Sequence, residues 1–298
     1  MLTAVLIAGL TATGAGGAAA SAYRIALAVP GGGETALYAE ETGDGPPILL
    51  LHGLGASHFT WRRIVPALAR THRVIALDLK GFGRSDKPFD RRYAAADQAA
   101  LVAAFIRKRG LAGVTLIGHS FGGTVALLAA LRLKGEPHRI ARLVAIDAPA
   151  LKQDFGEMAG LLEIPGLPDA AMTVAPPELM ARVLLRIVSA PGRTIPESDI
   201  RGYAAPYYDL GSRHAFIATA QALLAANARS TPRLYSSIEQ PTLLVWCRHD
   251  RIVPLRTGRL LARTLPNARL AVLERCNHLP QDEVPRALLA ELEAFIGP

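Results

Sequence analysis

Short runs rich in apolar and β-branched residues alternate with stretches of helical periodicity along most of the chain. Ile48–Leu51, Val74–Leu77, Val114–Ile117 and Leu143–Ile146 are such runs. They are nearly continuous rather than alternating, as strands covered on both faces require. Between them Ser57–Arg70 and Tyr93–Arg109 predict helices, the second with Ala99, Val102, Ala103 and Ile106 at helical spacing. Thr124–Leu131 predicts a third, directly behind the Val114 run. Ahead of this series, Tyr23–Val29 and Thr35–Glu40 read as a hairpin joined by Pro30-Gly31-Gly32-Gly33.

The alternation stops near Pro149. As far as Ser237 only helical pieces appear, at Lys152–Ile164, Pro177–Ser189, Glu197–Ala204 and Ser212–Asn227, separated by prolines and glycines. Strand and helix then resume with Thr242–Trp246, Leu255–Thr264, Ala268–Leu273 and Pro285–Ile296. The pattern predicts an α/β chain: a doubly wound, mostly parallel sheet of eight strands, with a helical lid inserted after strand 6. Residues 23–148 and 238–298 would form the core and residues 149–237 the lid.

Residues 1–22 stand apart. Leu2–Leu10 resembles the apolar part of a signal peptide, and Ala20-Ser21-Ala22 would serve as a small-residue cleavage site before Tyr23. No lysine or arginine precedes the apolar run, so a cytoplasmic protein with an unstructured N-terminal segment is the other reading. The run is too short and too broken by glycine for a stable membrane span.

Half of the 298 residues are hydrophobic and 19% are charged, enough apolar material for a sizeable core. The formal net charge of +8 comes from arginines spread along the chain. Nucleic-acid binding needs a basic stripe, and none is present. The two cysteines, Cys247 and Cys276, fit no metal-ligand spacing. Two inert, partly buried thiols are the simpler reading, with a disulfide open if the protein is exported.

Four suggestive positions fall where predicted strands end, which is where open parallel sheets bind ligands. The first is His52-Gly53-Leu54-Gly55. The second is Gly118-His119-Ser120-Phe121-Gly122, a Gly-x-Ser-x-Gly pentapeptide between strand and helix. That context pushes a serine hydroxyl out of the sheet and sets it beside a helix N-terminus, a suitable place for an oxyanion. The others are Asp250 and His278. A serine needs a base within reach, and a neutral imidazole needs a carboxylate on its second nitrogen. Ser120, Asp250 and His278 are the candidates for nucleophile, acid and base. His249 is the rival base and Asp147 the rival acid. His58, His72, His138 and His214 lack a catalytic context, and Asp282 and Glu283 are expected to cap or flank the closing helix. Backbone N–H groups of Leu54 and Phe121 are the natural oxyanion donors.

Taken together these segments resemble the α/β-hydrolase superfamily over essentially everything from Tyr23 onward. The resemblance rests on His52-Gly53-Leu54-Gly55, Asp78-x-x-Gly81-x-Gly83-x-Ser85-Asp86, Gly118–Gly123, Asp250–Pro254 and Asn277-His278-x-Pro280-x-x-Glu283. It implies a structural role for the Asp78–Asp86 loop. Haloalkane dehalogenases and epoxide hydrolases of this fold place an aspartate where Ser120 stands. Carbon–carbon hydrolases of the meta-cleavage type usually carry Asn before that serine and Trp after the histidine, where this chain has His119 and Leu279.

The expectation is therefore a carboxylic ester hydrolase acting on a small ester-like substrate through an acyl-enzyme, with no metal or organic cofactor. Carbon–carbon cleavage, perhydrolysis or acyl transfer on the same three residues are alternatives, and a non-catalytic binding protein is a third class. The lid supplies Leu161, Leu162, Met172, Leu179, Met180, Leu184, Ile187 and Phe216 as candidates for an apolar inner face. Oligomeric state and substrate identity are not legible in the sequence.

Overall fold

The computed structural model describes residues 20–29, 32–152, 172–227 and 232–297. Its strands are β1 (Ser21–Ala28), β2 (Glu34–Thr42), β3 (Pro47–Leu51), β4 (Arg73–Leu77), β5 (Val114–His119), β6 (Ile140–Ile146), β7 (Thr242–Cys247) and β8 (Ala268–Leu273). They form one eight-stranded sheet in the order β1-β2-β4-β3-β5-β6-β7-β8. β1 and β2 pair antiparallel, as do β2 and β4, and every other pair is parallel. β1 begins at Ser21, so Ser21 and Ala22, read from sequence as part of a separate N-terminal segment, pair with Glu41 and Glu40.

The helices are α1 (Val65–Leu68), α2 (Ala95–Lys108), α3 (Phe121–Arg132), α4 (Pro177–Val188), α5 (Glu197–Ala204), α6 (Leu210–Asn227), α7 (Leu255–Thr264), α8 (Pro280–Glu283) and α9 (Pro285–Ile296). The single helix predicted over Ser57–Arg70 is instead a 3₁₀ turn, His58–Trp61, followed by the one-turn α1. Pro66 accounts for the break, since it has no N–H to continue a helix and is at home only in a first turn.

The sheet is apolar on both faces, and its period of two divides each strand between two cores. Leu49, Leu51, Ile75, Leu77, Leu116 and Leu244 face Val102, Phe105 and Ile106 of α2, Val125 and Ala129 of α3, and Leu261 of α7. Ile48, Leu50, Val74, Ile117, Val144 and Val245 face Trp61, Ile64, Leu68 and the Leu288, Leu292 and Ile296 ridge of α9. Burial of that order is the main stabilising term. It explains why the strands read as unbroken apolar runs.

Between β6 and β7 the described residues contain α4, α5, α6 and a 3₁₀ turn at Pro232–Ser237. The helix expected at Lys152–Ile164 lies, after Lys152, outside the described residues. Ala181 and Leu185 of α4 pack on Ile200, Tyr203 and Ala204 of α5 and on Leu279. Ion pairs fix α5 to the rest: Asp199 and Asp282 both take Arg62 and Arg63, and the Tyr203 hydroxyl donates to Asp282 at 2.5 Å. Asp282 therefore ties α5 to the short helix α8 ahead of α9, not merely capping α9 as the sequence suggested. Among the described residues no helix is long and apolar enough to cross a membrane.

Candidate active site

β5 is buried along its whole length and ends at His119. Ser120 follows with φ 51° and ψ −122°, a backbone region that costs a non-glycine residue about 1–3 kcal/mol. The chain can turn this sharply only because two neighbours have no side chain. A Cβ at Gly118 would stand 2.1 Å from the Gly122 carbonyl oxygen, and one at Gly122 would stand 2.4 Å from the carbonyl oxygens of Leu51 and His52. The turn aims the Ser120 hydroxyl off the sheet edge, at the N-terminus of α3.

His278 and Asp250 arrive there from the loops after β8 and β7. His278 Nε2 lies 2.9 Å from Ser120 Oγ, and His278 Nδ1 lies 2.7 Å from Asp250 Oδ2. With Nδ1–H donating to the carboxylate, Nε2 is left as an acceptor for the serine O–H. Asp250 is buried, and its other oxygen accepts the N–H groups of Ile252 at 2.7 Å and Val253 at 2.8 Å. The three residues separated in sequence thus meet in one hydrogen-bonded line.

Their loops are braced from several sides. Asn277 Oδ1 accepts the Arg251 N–H at 2.8 Å, and its Nδ2 donates to the carbonyls of Ile187 and Ser189. The His278 N–H donates to Val188 O at 3.0 Å, so the end of α4 is bonded to the imidazole's own backbone. Glu283 receives the N–H groups of Asn277, Leu279 and Ala190, which is its role in place of the helix flank expected from sequence. Cys247 and Cys276 are joined in a disulfide rather than standing as two thiols, with both residues buried.

Among the other histidines, His249 is exposed and leaves the acid and base positions to its neighbours. The Ser120 hydroxyl bonds His278 rather than His119. Its Nε2–H donates to the His278 carbonyl at 2.7 Å. Burial, then the nearby His278, push its pKa down to about 3, so its ring is neutral at ordinary pH. His138 is exposed, His72 bonds Thr71, and His214 bonds the Asp90 carbonyl. His58 sits on Asp78, which also accepts the His58 and Arg84 backbone N–H groups at 2.6 and 2.7 Å. Burial opposes the Asp78 charge, but the bonds and charge from His58 outweigh it and hold the carboxyl below its ordinary range. The Asp78–Asp86 loop is in this sense structural.

The two expected oxyanion donors are the backbone N–H groups of Phe121 and Leu54. Phe121 opens α3, so its N–H has no intrahelical acceptor. Leu54 follows His52 and Gly53, and this loop is held by His52, whose Nδ1–H donates to Gly53 O while its Nε2 accepts the Leu79 N–H at 3.0 Å. Both residues line a cavity of about 440 Å³ that opens on Ser120 and His278. Leu184, Leu185, Val188, Phe216, Leu223 and Leu224 line it from the helices between β6 and β7, and Ile252 and Leu279 from the loops. Of the inner-face candidates, Leu184, Ile187 and Phe216 reach this cavity. Leu179 points outward at 53% exposure, Met180 is buried away from the lining, Met172 is half-buried and not part of it, and Leu161 and Leu162 fall outside the described residues.

Asp147, the rival acid, follows β6 with φ 47° and is fully buried. Its Oδ1 accepts the Cys247 N–H at 2.9 Å. Burial, then the charge of Asp250, hold its carboxyl well above the ordinary range. An oxygen of Asp147 and ring nitrogens of His119 and His278 lie within 4.8 Å of one another, a spacing a cation could use. Both ring nitrogens of His278 and the Nε2 of His119 are already engaged, so a metal there would have to dismantle the Ser120–His278–Asp250 line.

Comparison with known proteins agrees with this architecture. A profile of the alpha/beta hydrolase fold matches residues 46–285, and the chain belongs to that family. It is 29% identical over 278 residues to a 2-hydroxy-6-oxo-2,4-heptadienoate hydrolase of Pseudomonas putida, covering 91% of this chain and 95% of the relative. A solved bacterial membrane phospholipase A is 28% identical, with a TM-score of 0.73 over 92% of this chain and 86% of its own. A thermophilic esterase from Thermogutta terrifontis superimposes with a TM-score of 0.75 at 24% identity, over 92% of this chain and 98% of its own.

Proposed function

We propose that this member of the alpha/beta hydrolase family is a carboxylic ester hydrolase that works through an acyl-enzyme on Ser120. The observation that carries the reading is the pair of bonds on one imidazole, 2.9 Å to Ser120 Oγ and 2.7 Å to Asp250 Oδ2. His278 takes the serine proton as Oγ attacks the ester carbonyl, and Asp250 holds the tautomer and stabilises the imidazolium. The tetrahedral oxyanion is received by the N–H groups of Leu54 and Phe121, where one donor is worth about 10²–10³ in rate. His278 then protonates the departing alcohol and activates the water that frees Ser120. Helices α4 to α6 act as a lid, within the span 149–237, whose apolar side chains seat the acyl chain and keep water from it.

The deciding experiment is labelling with a fluorophosphonate, then locating the adduct by mass spectrometry. Modification of Ser120, lost in Ser120→Ala together with p-nitrophenyl ester turnover, is the expected result. An adduct elsewhere, or turnover that survives the substitution, overturns it.

Carbon–carbon hydrolysis is the second reading. It is favoured by the heptadienoate hydrolase relative and by Arg251, a cation in the cavity lining that suits a carboxylate-bearing substrate. Ring-cleavage products would then turn over faster than p-nitrophenyl esters.

A further inference from the structure

Asp147 is a fully buried carboxyl group beside the proposed triad with no part in the mechanism above. It follows directly on β6, which lies between β5, which leads into Ser120, and β7, which leads toward Asp250. Its N–H donates to Val245 O and its Oδ1 accepts the Cys247 N–H, so the residue is locked against β7. Its Oδ2 is buried without a partner. One of its oxygens lies within 4.8 Å of a His278 ring nitrogen, and His278 Nδ1 sits 2.7 Å from Asp250 Oδ2, so the two buried carboxyl groups are near neighbours whose charges act on each other. Two ionised carboxylates so placed offer acceptors only, and nothing joins them. A proton between them removes both the repulsion and the orphaned oxygen.

We propose that Asp147 is a positioning residue that donates its carboxylic O–H to the Asp250 carboxylate. Asp250 has room to accept on Oδ2, because the Ile252 and Val253 N–H groups fill Oδ1 while His278 takes only one lone pair of Oδ2. The alternative acceptor, the unpartnered Nδ1 of His119, faces Gly53 at the end of β3, on the other side of β5 from β6. Burial and the Asp250 charge both favour the neutral acid. The charged or titratable groups facing Asp147 are Asp250, His119, His278 and Glu283. The left-handed backbone at Asp147 is one that Asp and Asn tolerate better than most residues, so Asn is the conservative replacement. The donated bond fixes the Asp250 carboxylate and draws off part of its charge, which lowers the pull of Asp250 on the His278 imidazolium.

This inference rests on the Ser120–His278–Asp250 reading. Failure of that reading shows separately, as turnover retained by Ser120→Ala. The test is the acid limb of kcat/KM against pH for p-nitrophenyl ester hydrolysis in wild type, Asp147→Asn and Asp147→Ala, with melting curves for each. Asn keeps an N–H donor, so its limb stays with wild type and its kcat within about threefold. Ala removes the donor, so its limb moves up by about half a pH unit and its kcat falls about tenfold. If Asp147 were ionised, either substitution would remove a negative charge near His278 and move the limb down. A downward shift in both variants, or no shift in Ala, overturns the proposal. Should the Ala variant not fold, the Asn limb alone decides, since it stays only if Asp147 is a donor.

Discussion

The disulfide between Cys247 and Cys276 ties the turn that carries Asp250 to the loop that carries His278, with 5.3 Å between the two Cα atoms. Cys247 ends β7 and pairs with Leu273 at the end of β8, so the crosslink closes over two strands already in register. It holds two of the three candidate catalytic side chains at a set separation.

Replacing both cysteines with alanine therefore acts on stability and chemistry together. The crosslink spans 29 residues, for which loop-closure entropy predicts a loss of about 3–4 kcal/mol in denaturant melts. We expect kcat to fall with KM little changed, because the loosened loops carry the imidazole and its carboxylate. Unchanged kcat in the folded double variant would show that the hydrogen bonds of Asn277 and His119 hold the loops unaided.

Asp250→Asn should leave the fold and ester binding intact while reducing kcat by about 10⁴-fold, since an amide favours the wrong imidazole tautomer. Steady-state kinetics with circular dichroism of the variant checks this.

His58→Gln tests the Asp78 pair through its pH dependence. Burial opposes the His58 charge, but Asp78 and Glu40 outweigh it and raise the pKa above the ordinary 6.5. The contribution of His58 is then full below pH 6.5 and lost as pH rises through its folded pKa. The contribution of Asp78, lowered from 3.8, is present above that pH and lost on acidification. The stability difference between wild type and variant, about 1.5–3 kcal/mol for bonds to charged groups, should be full near pH 5 and shrink above neutrality. Denaturant melts at several pH values give it directly.

Leu223→Trp fills part of the cavity beside Phe216 and Leu224. Each methylene no longer seated forfeits about 0.8 kcal/mol, roughly fourfold in kcat/KM. A series of p-nitrophenyl esters should show the preferred acyl chain shortening, with the acetate least affected.

Much of this protein was legible before any coordinates. Strands covered on both faces must be apolar at every position, so Ile48–Leu51 and Val74–Leu77 announced themselves. Gly118, Ser120 and Gly122 formed a local pattern because the constraints of the sharp turn at Ser120 are local. Asp250 and His278 were readable as candidates because parallel strands place their following loops on one edge. The sequence could not reveal the brace around them. His119 reaching the His278 carbonyl and Asn277 reaching Ser189 are contacts across strand ends or between a loop and α4. Contacts of that kind leave no periodicity along the chain. The pairing of Cys247 with Cys276 needed the β7–β8 register. The pattern of apolar residues determined which elements form, because burial acts on each segment alone. Only the packed sheet decided which side chains touch, because distance in space is set by all the elements together.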